Sequence, residues 1–249
     1  MLRTALSALC CAAALGATAE PLRLAGDDWC PYLCPQSPEK PGFLLDGLNQ
    51  ALPERPQFQA LPWSRALQMA RDGLVDGVIG AYPEETEGLL IGREPIAWAD
   101  MRFYTRSGSQ WQYRGPASLD GLAVGLVQGY SYGAQLDAWR DRHLDDHDSI
   151  QVLSGERVLE RNLQKLLLGR IDVFLEDSRM VDHYLRRHRL VAQVRSAGRL
   201  PSQRPMYVAL SPHLKDADAR LAKLDQGLRR LRERDAWKPL MREYLVSVD

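Results

Sequence analysis

Short apolar runs bounded by turn residues recur along the chain and read as strands at 22–25, 78–82, 101–105, 123–127, 150–153, 173–175 and 206–210. Between them, apolar residues return at helical spacing. Ala66, Leu67, Ala70 and Leu74 fall on one helix face with Gly73 near its end, and Leu159, Leu163, Leu166 and Leu167 form another that ends at Gly169. The stretch 218–245 reads as helix, with Leu221, Leu224, Leu228 and Leu231 as its apolar face and arginines opposite. Strands alternating with helices predict an α/β architecture.

One pattern occurs twice. Gly73-Leu74-Val75-Asp76 leads into Gly77-Val78-Ile79-Gly80-Ala81-Tyr82, and Gly169-Arg170-Ile171-Asp172 leads into Val173-Phe174-Leu175. Each copy is a helix, a Gly-x-apolar-Asp turn, a buried strand and a polar loop. Two copies ~96 residues apart predict two similar α/β lobes, since each lobe needs its own buried sheet. Natural crossovers then fall at 104–108 and 203–207. The first lobe comprises 20–105 and 205–249, the second 106–204, and the two crossover strands make a hinge that can close around a small solute.

Composition narrows the classes. With 32 basic and 32 acidic residues in 249, and 45% hydrophobic positions, the chain has ordinary globular proportions. Balanced charge supplies no electrostatic pull toward nucleic acid or an anionic membrane. A small molecule is the expected partner and a monomer the expected state. Arg3, the apolar run from Ala5 to Leu15 and the small-x-small triplet Ala17-Thr18-Ala19 read as a cleaved signal peptide over 1–19, with Glu20 as the first mature residue. Neither Cys10 nor Cys11 follows the small residue that a lipoprotein site needs. The mature chain keeps only Cys30 and Cys34, in Trp29-Cys30-Pro31-Tyr32-Leu33-Cys34-Pro35. In an oxidising compartment these two are disulfide partners, and no second Cys pair completes a metal site.

The run Pro62-Trp63-Ser64-Arg65-Ala66, the turn at 73–76, Gly121-Leu122-Ala123-Val124-Gly125 leading to Gln128-Gly129, and Gly169-Arg170-Ile171-Asp172 followed by Glu176-Asp177 resemble family 3 extracellular solute-binding proteins. These are the periplasmic receptors of polar amino acid uptake systems and their orphan relatives, and the likeness spans nearly all of the mature chain. The resemblance implies a type II-like two-lobed binding-protein fold, a periplasmic location and an ABC permease in the inner membrane as partner. It matches Ser131 to the hydroxyl that holds a ligand carboxylate, Asp177 to the acid that holds an ammonium group, and Trp29 or Tyr32 to an aromatic wall. Where the family carries a carboxylate-binding Arg, this chain reads Glu84-Glu85-Thr86-Glu87-Gly88-Leu89, and neither Arg65 nor Arg93 stands at the matching position. The implied ligand is therefore small and polar, cationic or amino-acid-like, with no partner for a free α-carboxylate.

Trp29, Tyr32, Trp63, Tyr82, Tyr130 and Tyr132 all stand at strand ends or helix starts, which converge at the C-terminal edge of an α/β sheet, where ligands bind. With Arg65, Thr86, Ser131 and Asp177 they form the expected binding set. Asp27-Asp28 and Glu84-Glu85 read either as cation-attracting pairs or as surface charge. Gly129-Tyr130-Ser131-Tyr132-Gly133 also fits the nucleophile elbow of serine hydrolases, with Asp177 and His213 following in triad order, but no upstream His-Gly motif accompanies it. A periplasmic dehydratase or a sensor module on the same fold are further alternatives. His143 and His147 lie in a polar run that reads as a solvated helix face, no phosphate loop occurs, and no cofactor is expected.

Overall fold

The computed structural model describes residues 20–245, so the expected signal peptide at 1–19 lies outside the described residues. Eleven strands and seven α-helices follow one another among them. The first half runs β1 (Arg23–Gly26), α1 (Phe43–Ala51), β2 (Gln57–Ala60), α2 (Trp63–Arg71), β3 (Gly77–Ala81), β4 (Leu90–Ile91), β5 (Ala97–Ala99) and β6 (Met101–Arg106). The second runs β7 (Val124–Val127), α3 (Ala134–His143), β8 (Ile150–Leu153), α4 (Val158–Leu167), β9 (Val173–Asp177), α5 (Ser178–Arg187), β10 (Val194–Arg199), β11 (Arg204–Leu210), α6 (Ala217–Glu233) and α7 (Trp237–Leu245).

The strands form two sheets. One has the order β2-β1-β3-β11-β4, with β5 also on β11; the other has the order β10-β6-β9-β7-β8. In the first, β1 runs parallel to β2 and β3, and β11 runs antiparallel to β3. In the second, β7 runs parallel to β8 and β9, and β6 runs antiparallel to β9. The two sheets thus repeat one plan of three parallel strands plus one antiparallel strand at their side.

The repeated sequence turn explains that plan. In the first copy the Asp76 amide donates to the Arg23 carbonyl at 2.8 Å, and its carboxylate accepts the Arg23 amide at 2.8 Å. In the second the Asp172 amide donates to the Ala123 carbonyl at 2.8 Å, and its carboxylate accepts the Ala123 amide at 3.0 Å. Each Asp ties the entry of the third parallel strand to the entry of the first. Gly73 and Gly169 both hold φ +71, a left-handed conformation that glycine adopts without strain.

The sheets change hands between Ala99 and Met101 and again between Arg199 and Arg204, with β5 still pairing to β11 and β6 already in the second sheet. The outgoing crossover is therefore centred on Asp100 rather than at 104–108, because the run Met101–Arg106 belongs wholly to the second sheet. Two other readings shift. Helix α2 ends at Arg71, so Leu74 stands past the helix and is 59% exposed. The stretch 218–245 is two helices, since Asp235 takes φ +51 and turns α7 back so that Trp237 meets Phe43 edge-on.

Candidate functional site

Trp29 follows β1 in a tight loop that the Cys30–Cys34 disulfide closes. Trp29 stacks on Tyr32 with ring centroids 4.0 Å apart, and the Tyr32 ring packs in turn on Phe43 of α1. Gly42 lets the chain pass this close: it holds φ +112, and a Cβ there would fall 2.2 Å from the Tyr32 carbonyl oxygen. The loop therefore delivers the Trp29 indole in a fixed pose at the end of β1.

The C-terminal ends of β1 and β3 face those of β7 and β9, and side chains reach across at hydrogen-bond distance. Tyr130 Oη donates to Asp27 Oδ2 at 2.8 Å, Trp29 Nε1 to Glu176 Oε1 at 3.2 Å, and the Ser131 amide to Glu85 Oε1 at 2.8 Å. These contacts hold the two lobes closed over a cavity of about 200 Å³ lined by Asp27, Leu61, Tyr130, Arg157, Glu176 and Met180 among others. A recess of about 20 Å³ adjoins it, walled by Trp29, Trp63, Tyr82, Glu85 and again Asp27 and Tyr130.

Acidity dominates this space. Asp27, Asp28, Glu85, Glu156 and Glu176 line the two compartments against the single base Arg157. Burial pushes Asp27 up to about 7 against the pull of its bonds from Tyr130 and the Trp63 amide. Burial likewise pushes Glu85 to about 7, against the pull of the Ser131 and Tyr82 amides and of the Arg204 charge, and Glu176 to about 8, because a charge out of water is costly. Among the described residues neither Asp27 nor Glu176 has an ion-pair partner. The indole N–H of Trp63, which lines the same recess, is buried with no hydrogen-bond partner among the described residues.

Of the expected binding set, Trp29, Trp63, Tyr82 and Tyr130 are brought together in these walls. The others are placed differently. Asp177, 0% exposed, is the N-cap of α5: its Oδ1 accepts from the Arg179 and Met180 amides, and its Oδ2 accepts the Asp100 amide at 2.8 Å. Its carboxylate is held by these three amides and by a hydrogen bond from the Tyr32 hydroxyl, with burial raising its pKa. The Tyr32 hydroxyl accepts from Arg179 at 2.9 Å behind the Trp29 ring. Tyr132 points into the second lobe, where its hydroxyl accepts the Val127 amide at 2.8 Å. Thr86 closes the turn after Pro83–Glu85 by donating to the Pro83 carbonyl. Arg65 lies on the exposed side of α2, away from both compartments, because the buried face of that helix is set by Trp63, Ala66, Leu67 and Ala70.

Ser131 has the surroundings of a structural hydroxyl. Its Oγ donates to Asp137 Oδ2 at 2.7 Å, and Arg140 braces the same aspartate at 3.1 Å. His213 sits instead against Gly73, so the hydrolase triad does not assemble. His143 stacks on Trp139, and among the described residues no group of three His, Cys, Asp or Glu is placed to hold a metal.

Two sheets with this strand order, joined by two crossovers and closed on a polar cleft, define the two-lobed fold of periplasmic binding proteins. An ancestral arginine-binding protein bound to arginine superposes at TM-score 0.73 with 16% identity over 90% of this chain and 97% of that one. A histidine kinase sensor domain with similarity to periplasmic binding proteins gives TM-score 0.73 and 19% identity, covering 90% of this chain and 96% of its own. The arginine-, lysine-, histidine-binding protein ArtJ of Geobacillus stearothermophilus gives TM-score 0.71 and 14% identity over 92% and 97%. No family model matches the chain, and no curated protein sequence does.

Proposed function

We propose that the protein is an exported solute-binding protein whose closed cleft captures a small organic cation, an ammonium or guanidinium, for an ABC-type uptake system. The observation that carries this is the pair of half-buried Asp27 and buried Glu176, two carboxyls lining the cavity with no ion-pair partner among the described residues, surrounded by the rings of Trp29, Trp63, Tyr82 and Tyr130. A ligand cation supplies the missing charge, and the aromatic faces add cation–π attraction of about 0.5–2 kcal/mol each. The cavity is smaller than the roughly 300–1,000 Å³ typical of drug-sized ligands, which fits a compact solute. Export through the 1–19 leader, a monomeric state and delivery to an inner-membrane permease complete the reading. The arginine-binding neighbours support it at the level of the fold they share.

A thermal-shift screen of amines, amino acids, dicarboxylates and sugars tests the proposal. At a hundred times its dissociation constant a true ligand adds about 2.7 kcal/mol, a melting shift of roughly 5–10 °C for a chain this size. Hits should concentrate among cations and vanish in the double variant Asp27→Asn/Glu176→Gln. Hits confined to anions or sugars, or an unaltered shift in the double variant, refute it.

A further inference from the structure

The cleft also contains a cluster that would suit an anion, and the protein fills it with its own groups. The Ser131 amide stands three residues ahead of α3, where backbone N–H groups and the helix dipole favour negative charge. The carboxylate on it is Glu85, which spans the cleft from the turn Pro83–Glu85 and accepts the Tyr82 amide with its other oxygen at 3.0 Å. Beside it Arg204, buried at the start of β11, donates to the Ser131 carbonyl and, at 3.3 Å, to Ser131 Oγ. The Arg204 guanidinium lies 4.0 Å from the centre of the Tyr82 ring and pairs with Glu84 at 2.9 Å. The Tyr132 amide is taken by Asp137 at 2.8 Å, and the Gly133 amide by Ser131 Oγ at 3.3 Å. Backbone donors, hydroxyl and guanidinium are thus all engaged by groups of the chain.

We infer that Glu85 is a specificity-determining residue: an internal carboxylate seated at the anion position of the cleft, so that the site accepts a ligand's cation and refuses a carboxylate attached to it. This rests on the cation-binding reading above and deepens it to a substrate class, amines and guanidines without a free carboxylate. Two features make Glu85 an occupant rather than a surface acid. It is enclosed, and each of its oxygens is met by a backbone N–H from a different lobe. A ligand carboxylate entering beside it would meet a like charge at close range with its donors already engaged.

The test compares matched pairs that differ only in the carboxylate, agmatine against arginine and cadaverine against lysine, by calorimetric titration at pH 8. The wild-type protein should prefer the amine at least 100-fold. Glu85→Ala removes both the charge and the occupant and should cut that preference at least tenfold, through tighter binding of the amino acid. Glu85→Gln removes the charge alone and should cut it by a smaller factor, which carries the test should Glu85→Ala not fold. A merely structural role would weaken both members of a pair equally and leave their ratio unchanged. A ratio unaltered in both variants, or a wild-type protein that binds the amino acid as tightly as the amine, overturns the inference alone. Wild-type protein that binds neither member of either pair overturns the cation reading, and this inference with it.

Discussion

The two lobes agree at one end of their sheets and part at the other. At the N-terminal ends, Asp76 and Asp172 make the same pair of backbone bonds, to Arg23 and to Ala123, behind glycines with the same φ. At the C-terminal ends the first lobe offers a short turn carrying Glu85, whereas the second offers Glu176 inside β9 and Asp177 capping α5. The shared turn solves a backbone problem, the closing of three parallel strands, and any lobe of this plan faces it. The cleft ends solve a ligand problem, for which the lobes contribute different groups.

The largest effect that sharpens this contrast is the pH dependence of the unliganded protein. Asp27, Glu85 and Glu176 hold their protons to about 7, 7 and 8 when folded, because burial disfavours the charge, and release them near 4 when unfolded. The folded state therefore binds more protons than the unfolded one between about pH 4 and pH 8, and stability falls as pH rises through that window. Each such group contributes a slope of about 1.4 kcal/mol per pH unit. Asp76 has the opposite sign: burial raises it, but the Arg23 side-chain and backbone bonds outweigh that and hold it below the usual range, so its effect is confined to acid below that window. Urea melts from pH 5 to 9 should show the decline, and Asp27→Asn or Glu176→Gln should each flatten it by one group. Stability that climbs from pH 5 to 8 would show that the carboxyls are not enclosed as described.

Next in size come the two turns. The Asp76 side chain is 13% exposed and takes bonds from the Arg23 amide and guanidinium, the shortest at 2.7 Å. The Asp172 side chain is 43% exposed, takes the Ala123 amide and stands 3.5 Å from Arg106. Asp76→Ala should cost about 2–3 kcal/mol in urea denaturation and Asp172→Ala about 1 kcal/mol, because the second site is more hydrated and its ion pair more screened. An equal loss, or a larger one at Asp172, would break the comparison.

What the sequence made legible follows the same division. All seven expected strands form; in six of them the apolar run marks a strand buried inside its sheet, and edge strand β8 keeps only Ile150 and Leu153 buried. The missed ones are short, or mostly polar and at a sheet edge, as in Gln57-Phe58-Gln59-Ala60 of β2 and the alternating β10. The repeated turn was legible because its four residues are contiguous. The disulfide was legible too, since its two cysteines stand four apart and no other cysteine occurs among the described residues. At the cleft, the aromatic wall could be read from strand-end positions, and the acid pairs were visible only as charge. The roles of Glu85 and Arg204 could not be read, since their common partner Ser131 lies 46 and 73 residues away. For Asp177 the sequence left two roles unseparated, because a carboxylate after a strand serves equally well as ligand anchor or as cap to the next helix, and the structure shows the capping bonds.

The smallest effect concerns a pair of arginines at matching places in the repeat, Arg65 on α2 and Arg161 on α4, themselves 96 residues apart (161 − 65). Their helices pack on their sheets in the same way, through Leu67 and Ala70 in one lobe and Leu163 and Leu166 in the other. The side chains differ: Arg161 donates to the Ser154 carbonyl at 2.7 Å beyond β8, whereas Arg65 is exposed and has no side-chain partner among the described residues. Removing Arg161 loses one exposed hydrogen bond, so Arg161→Ala should cost about 0.5–1 kcal/mol. Arg65→Ala should stay within about 0.5 kcal/mol of the parent, the usual range for a surface change that breaks nothing. It should also leave cation binding unaltered, since Arg65 reaches neither compartment of the cleft. Parallel melts and titrations of the two variants settle the point. If Arg65→Ala changed affinity more than twofold while Arg161→Ala did not, Arg65 would have to swing into the cleft when ligand binds, and the two helices would no longer be equivalent in function.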